Sequence, residues 1–325
     1  MIATVIALAL VEWVLDPHNM TLKSSGSPKA AGSLMKFISK LASCFGLLVC
    51  VPTHANEIRS IDVDGVKRSY LLHVPVGIGP SVPLVVLLHG RGSSGADEMA
   101  GGRWQTKADK EKFIVAAPDA LDSYDGVEHK RSPTVQDWIR RNYRALRGRN
   151  VLRWHGGPND VALIVSMIDR ISVEWQIDQS RIYIVGFSRG GFMAHRMALE
   201  ITDRLAGVAV VSPDLEPEVK KASTRPLSFL LVSGDRDSVH PVSSDRPAAT
   251  MERWRAIDHC PPLSNVDSES ASLTVEGAGP CNEGTEIRYV IAHGVAHHWT
   301  EALTHYSDIS WAFLSRFRRQ PVANQ

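Results

Sequence analysis

From residue 58 to residue 318 the chain alternates short apolar runs with stretches of helical spacing. Ile58 to Asp64 and Val66 to Val74 flank Asp64-Gly65, which predicts an antiparallel hairpin. Leu84 to Leu88 and Phe113 to Ala117 are unbroken apolar runs, the pattern of strands buried on both faces. Asp160 to Trp175 sets Val161, Ile164, Val165, Ile168, Ile171 and Trp175 on one helical stripe, with Asp160 as the expected N-cap. Further strands are predicted at Arg181–Val185, Ala206–Val211, Leu227–Val232 and Ile287–Ala292. Helices are predicted over Phe192–Leu199, around Ala248–Ile257 and over Glu301–Phe317. Strands alternating with helices make an α/β class: a mostly parallel, doubly wound sheet with an N-terminal antiparallel hairpin.

Two regions break the pattern. Ala120 to Asn159 is polar and irregular, and it holds Trp138, Tyr143, Trp154 and a run of arginines. Insertions after strand C-termini overhang the site in such sheets, so 120–159 reads as a lid or substrate wall, or else as a solvated loop with paired arginines. Residues 1–55 read as a leader: Lys36 and Lys40 precede the apolar Leu41–Val51 and the small-residue site Thr53-His54-Ala55, which suggests Met35 as the true start. Leu41-Ala42-Ser43-Cys44 also resembles a lipobox, though Lys40 leaves little apolar chain before it. Residues 56–325 would then form a single domain, secreted or periplasmic.

Composition narrows this picture little. With 325 residues, 44% hydrophobic and 22% charged, the chain fits one soluble α/β domain. The net charge is +1, and about −1 without residues 1–55, so nothing global calls for nucleic acid or an anionic membrane. No stable membrane span is expected in the mature protein, and oligomeric state is not legible. Cysteine usage says more. Cys44 and Cys50 fall in the leader, leaving Cys260 and Cys281 as an even pair in an oxidising compartment, read as a disulfide in preference to two buried thiols.

The chemistry centres on Gly186-Phe187-Ser188-Arg189-Gly190-Gly191, a G-x-S-x-G between a strand and a helix. A Cβ at 186 or 190 would collide with the flanking backbones, so the glycines let a sharp turn hold Ser188 out as a nucleophile. Such a serine needs a base, an acid to orient the base, and oxyanion donors. Ser233-Gly234-Asp235-Arg236-Asp237 follows a predicted strand and supplies two carboxylates. Asp237 is preferred, because Asp235 beside Gly234 reads as a turn-former bonded to local backbone. His293, His297 and His298 follow the last strand; one is the expected base. A metal on this trio is disfavoured, since Gly294 argues against the helix that the spacing would need. His89-Gly90-Arg91-Gly92 reads as the oxyanion loop, with the Arg91 and Arg189 amides as donors and His89 as a structural hydrogen-bonding residue.

Together, His89-Gly90, Asn159 to Ala162, Trp175 to Asp178, Arg181 to Tyr183, the serine motif, Gly234 to Pro241, the cysteine pair and Gly294 to Trp299 resemble secreted esterases of the polyhydroxybutyrate depolymerase-like and feruloyl esterase group. The resemblance implies an α/β-hydrolase fold, His297 rather than His298 as base, and Asp237 as acid. It departs at Arg189 and Arg91, where the group commonly has uncharged residues, which opens the way to a carboxylate-bearing substrate. The expected activity is exported serine carboxylic-ester hydrolysis, without cofactor or metal, on soluble esters such as hydroxyalkanoate oligomers or feruloyl and aryl esters. Competing readings are a serine peptidase of the prolyl oligopeptidase type, for which the chain has no room for a propeller, and a catalytically silent hydrolase-fold binding protein.

Overall fold

Val82–Leu88 and Ile114–Pro118 are buried at every position, which a strand achieves only in a sheet covered on both sides. The computed structural model describes residues 55–120, 154, 160–213, 223, 225–266, 271–299 and 305–320. The leader and nearly all of the 120–159 insertion therefore lie outside the described residues.

Among the described residues, ten strands form one sheet. They are β1 (Ala55–Val63), β2 (Val66–Val74), β3 (Val82–Leu88), β4 (Ile114–Pro118), β5 (Ile177–Phe187), β6 (Gly207–Val211), β7 (Ser228–Gly234), β8 (Ser264–Asn265), β9 (Leu273–Ala278) and β10 (Ile287–Ala292), in spatial order β1-β2-β4-β3-β5-β6-β7-β10-β9-β8. From β4 through β10 neighbouring strands run parallel, while β1, β2, β8 and β9 add antiparallel margins. The hairpin closes at Val63↔Val66 around Asp64-Gly65, both at positive φ, as a tight two-residue turn needs.

Alternation within each strand sorts the core into two halves. Leu84, Val86, Leu88 and Ile184 pack on one face with α3 (Asp160–Trp175), α4 (Arg189–Glu200) and α5 (Arg246–Asp258). Val85, Leu87, Tyr183 and Val185 pack on the other with α1 (Gly95–Gly101), α2 (Trp104–Glu111) and α6 (Tyr306–Leu314). This is the mostly parallel, doubly wound α/β architecture expected from the sequence.

Two local expectations are corrected, and two sets of elements had no sequence expectation. Asp160 does not cap α3; its carboxylate accepts Arg68 Nη2 at 2.7 Å in a buried pair, because a cation inside the core must be neutralised. The last helix begins at Tyr306, and residues 301–304 lie outside the described residues. The stretch between the cysteines contributes the edge strands β8 and β9, whose polar content suits an edge. Helices α1 and α2 had no apolar period to announce them: they bury only Met99, Trp104 and Ala108 as large or apolar anchors amid charged residues. Ser94 and Asp97 do form a reciprocal capping box at the start of α1, a signal present in the sequence.

Candidate active site

Parallel strands put all their C-termini on one margin, and β3, β5, β7 and β10 each deliver a loop there. At the end of β5 the chain turns into α4 within one residue, so Ser188 adopts φ 50° and ψ −114°. Its neighbours enforce that geometry. A Cβ on Gly186 would lie 2.2 Å from the Gly190 carbonyl oxygen, and one on Gly190 would lie 2.0 Å from that of Leu88. Only glycine allows strand, elbow and helix to approach this closely.

Ser188 Oγ is 3.1 Å from His297 Nε2, and His297 Nδ1 is 2.8 Å from Asp237 Oδ2. Asp237 Oδ1 accepts the Val239 and His240 amides at 2.8 and 2.9 Å, so the carboxylate is fully used and the residue is only 2% exposed. Burial alone would raise its pKa. The bonds from His297 and the two amides outweigh burial and hold it below the usual carboxylate range. Gly234 brings the β7 and β10 loops together, since a Cβ there would sit 2.2 Å from the Val295 carbonyl oxygen.

Asp235 does not bond local backbone as expected. It reaches across to His293 Nδ1 at 3.1 Å and the Gly294 amide at 2.7 Å, and so ties the two loops together on their outer side. His298 lies edge-on to His297 with ring centroids 5.7 Å apart, and burial lowers its pKa. His240, which sequence reasoning gave no role, packs against His297 at 5.6 Å; burial first and the His297 charge second push it down to about 4. A neutral ring therefore flanks His297. Among the described residues no group of three or more His, Cys, Asp and Glu could hold a metal ion.

The loop after β3 is clamped by side chains. His89 Nδ1 donates to the Gly90 carbonyl at 2.8 Å, and its Nε2 accepts the Ala120 amide at 3.0 Å, which fixes the tautomer. Trp154 Nε1 donates to the His89 carbonyl at 3.1 Å. A trans peptide is planar, so pulling the Gly90 carbonyl toward His89 aims the Arg91 N–H the opposite way. Arg189 opens α4, so its N–H points out of the helix N-terminus on the Ser188 side, and its guanidinium lies 5.4 Å from the centre of the Phe192 ring. Away from the site, Cys260 and Cys281 are disulfide-bonded, joining the end of α5 to the turn before β10.

Residues 72–253 match the model of the phospholipase/carboxylesterase family. The chain is 25% identical over 261 residues to a bifunctional acetylxylan esterase/xylanase from Neocallimastix patriciarum, covering 78% of this chain and 34% of that protein. It is 30% identical over 140 residues to poly(3-hydroxyalkanoate) depolymerase C from Paucimonas lemoignei, covering 43% and 30%. The chain thus spans about a third of the length of these curated relatives. Among solved structures, an acetyl xylan esterase from Aspergillus awamori superposes with a TM-score of 0.55 at 14% identity over 80% of this chain and 99% of that one, a likeness of fold. On the span of the family match, and with the sheet order and serine elbow described above, the chain belongs to the phospholipase/carboxylesterase family and has the α/β-hydrolase fold.

Proposed function

We propose that the chain is a serine carboxylic-ester hydrolase. The observation that carries this reading is the continuous line from Asp237 through His297 to Ser188, at 2.8 and 3.1 Å, ending on a serine held at a strained elbow. In this reading Ser188 Oγ attacks the ester carbonyl while His297 Nε2 takes its proton. Asp237 orients the ring and stabilises the imidazolium, and the Arg91 and Arg189 amides receive the oxyanion. His297 then protonates the leaving alkoxide, and water releases the acyl group by the same path.

Soluble substrates fit best: acetyl esters, hydroxyalkanoate oligomers or feruloyl esters, as the names of relatives, feruloyl esterases among them, suggest for those proteins. Residues 56–325 form one catalytic domain in this proposal. Trp154 packs beside the β3 loop, its ring centroid 4.9 Å from that of His89. Export to an oxidising compartment agrees with the disulfide and the leader pattern. The test is Ser188→Ala assayed on p-nitrophenyl, feruloyl and hydroxybutyrate esters. A loss of about 10³-fold or more is expected, and activity within about tenfold of wild type overturns the assignment.

A further inference from the structure

The loop that carries Arg91 has a second support, buried on the α1 side. Glu98 projects from α1 and is 8% exposed. Its carboxylate accepts the Tyr306 hydroxyl from α6 and the Gly90 amide from the β3 loop. Gly90 sits between two constrained peptide planes. Its N–H goes to Glu98, while its carbonyl accepts His89 Nδ1 at 2.8 Å and the Ser93 amide at 3.3 Å. Nothing larger fits there, for a Cβ on Gly90 would lie 2.9 Å from the Phe187 ring. Phe187 in turn stacks on Tyr306, with centroids 6.3 Å apart and planes 19° apart, and its other neighbour is the His297 ring at 5.2 Å. Glu98 therefore joins, through two bonds, the loop bearing one oxyanion donor and the aromatic stack beside the base.

We infer that Glu98 is a positioning residue for ester hydrolysis, its ionised carboxylate anchoring the His89–Gly90 peptide and with it the turn on which the His89 ring aims the Arg91 N–H at the developing oxyanion. The inference rests on the hydrolase reading above. A carboxylate is the right group because, ionised, it accepts from both the Gly90 N–H and the Tyr306 hydroxyl; a carboxylic acid or an amide keeps both contacts only by donating to the Tyr306 oxygen, which turns the buried Tyr306 hydrogen away from its partner. The site exacts a cost for this. Burial, aided by the neighbouring Asp97 charge, raises Glu98 to about 7 despite the two bonds. A carboxylate with so high a pKa is a poor choice for stability alone.

The test compares wild type with Glu98→Gln and Tyr306→Phe, reading kcat, KM and the affinity of a trifluoromethyl ketone that forms an oxyanion on Ser188. Deleting an oxyanion donor outright costs about 10²- to 10³-fold in kcat, so misaiming one should cost about 10- to 100-fold. Glu98→Gln is expected to lower kcat and ketone affinity in parallel while KM stays within about twofold, the mark of an interaction made mainly in the transition state. Tyr306→Phe, which leaves the Gly90 bond in place, should fall by less. The inference is overturned if kcat of Glu98→Gln stays within about twofold of wild type, or if kcat falls with ketone affinity unchanged. A wild-type protein inert to every ester and to the ketone would instead remove the hydrolase reading itself.

Discussion

Asp237→Asn turns the geometry of one carboxylate into a rate. Two backbone amides point at Oδ1, from Val239 at 2.8 Å and His240 at 2.9 Å, so the asparagine oxygen must occupy that position. The opposite rotamer would face its NH2 toward both N–H groups and lose two part-buried hydrogen bonds, costing about 2 kcal/mol at roughly 1 each. Exchanging the neutral tautomer of an imidazole costs less. The amide NH2 will therefore face His297 Nδ1, now 2.8 Å from the carboxylate, and oblige that nitrogen to accept. His297 then carries its proton on Nε2, pointing at Ser188, and cannot take another from it. The corresponding change in a serine protease triad lowers kcat about 10⁴-fold, or about 5 kcal/mol at the transition state, and a loss of that size is expected here. Steady-state kcat on p-nitrophenyl acetate measures it, with circular dichroism to establish that the fold persists. A variant within tenfold of wild type would mean that the tautomer is not set by Asp237, and the role given to the carboxylate would fall.

Other consequences can be checked independently. His297→Ala should lose about as much rate as Ser188→Ala, and the double variant little more, because such residues act as a unit; His298→Ala should keep most activity, and the reverse order would move the base to His298. Replacing both Cys260 and Cys281 by Ser opens a link of sequence separation 21, for which chain entropy predicts a loss of about 3 kcal/mol, seen as a lower midpoint in urea; an unchanged midpoint refutes it. Asp258 is fully buried, and burial raises it to about 7. Because the folded state then holds the proton more tightly than the unfolded chain, its contribution to stability is complete below about pH 4 and is lost as pH rises to about 7. Asp258→Asn should therefore raise Tm by a few degrees relative to wild type at pH 8 and by less at pH 4.5, and an equal shift at both pH values would contradict this.

The apolar runs Leu84 to Leu88 and Leu227 to Val232 were legible as buried strands because hydrophobic periodicity is a local property, written in consecutive residues. The serine elbow was legible for the same reason: glycines at 186 and 190 are a steric requirement of one turn, and the collisions inferred from the motif are those found against Gly190 and Leu88. Partnerships across long separations were legible only where cysteine count or the family resemblance named both partners, as for Cys260 with Cys281. Turn chemistry favoured Asp237 over Asp235, but it offered Asp235 only local backbone as a partner, and the approach of the β7 and β10 loops is what gives Asp235 to His293 and Asp237 to His297. Glu98 belongs to no motif in the sequence, yet packing of α1 under the β3 loop buries it against Gly90 and Tyr306, the latter 208 residues away. Asp160 reads from sequence as a helix cap, and its partner Arg68 is found only once the sheet and α3 enclose both. Local sterics and periodicity thus set the strands, the helices and the elbow. Which buried charges neutralise one another depends on distances that exist only after the sheet has formed, since desolvation penalises every charge left without its partner.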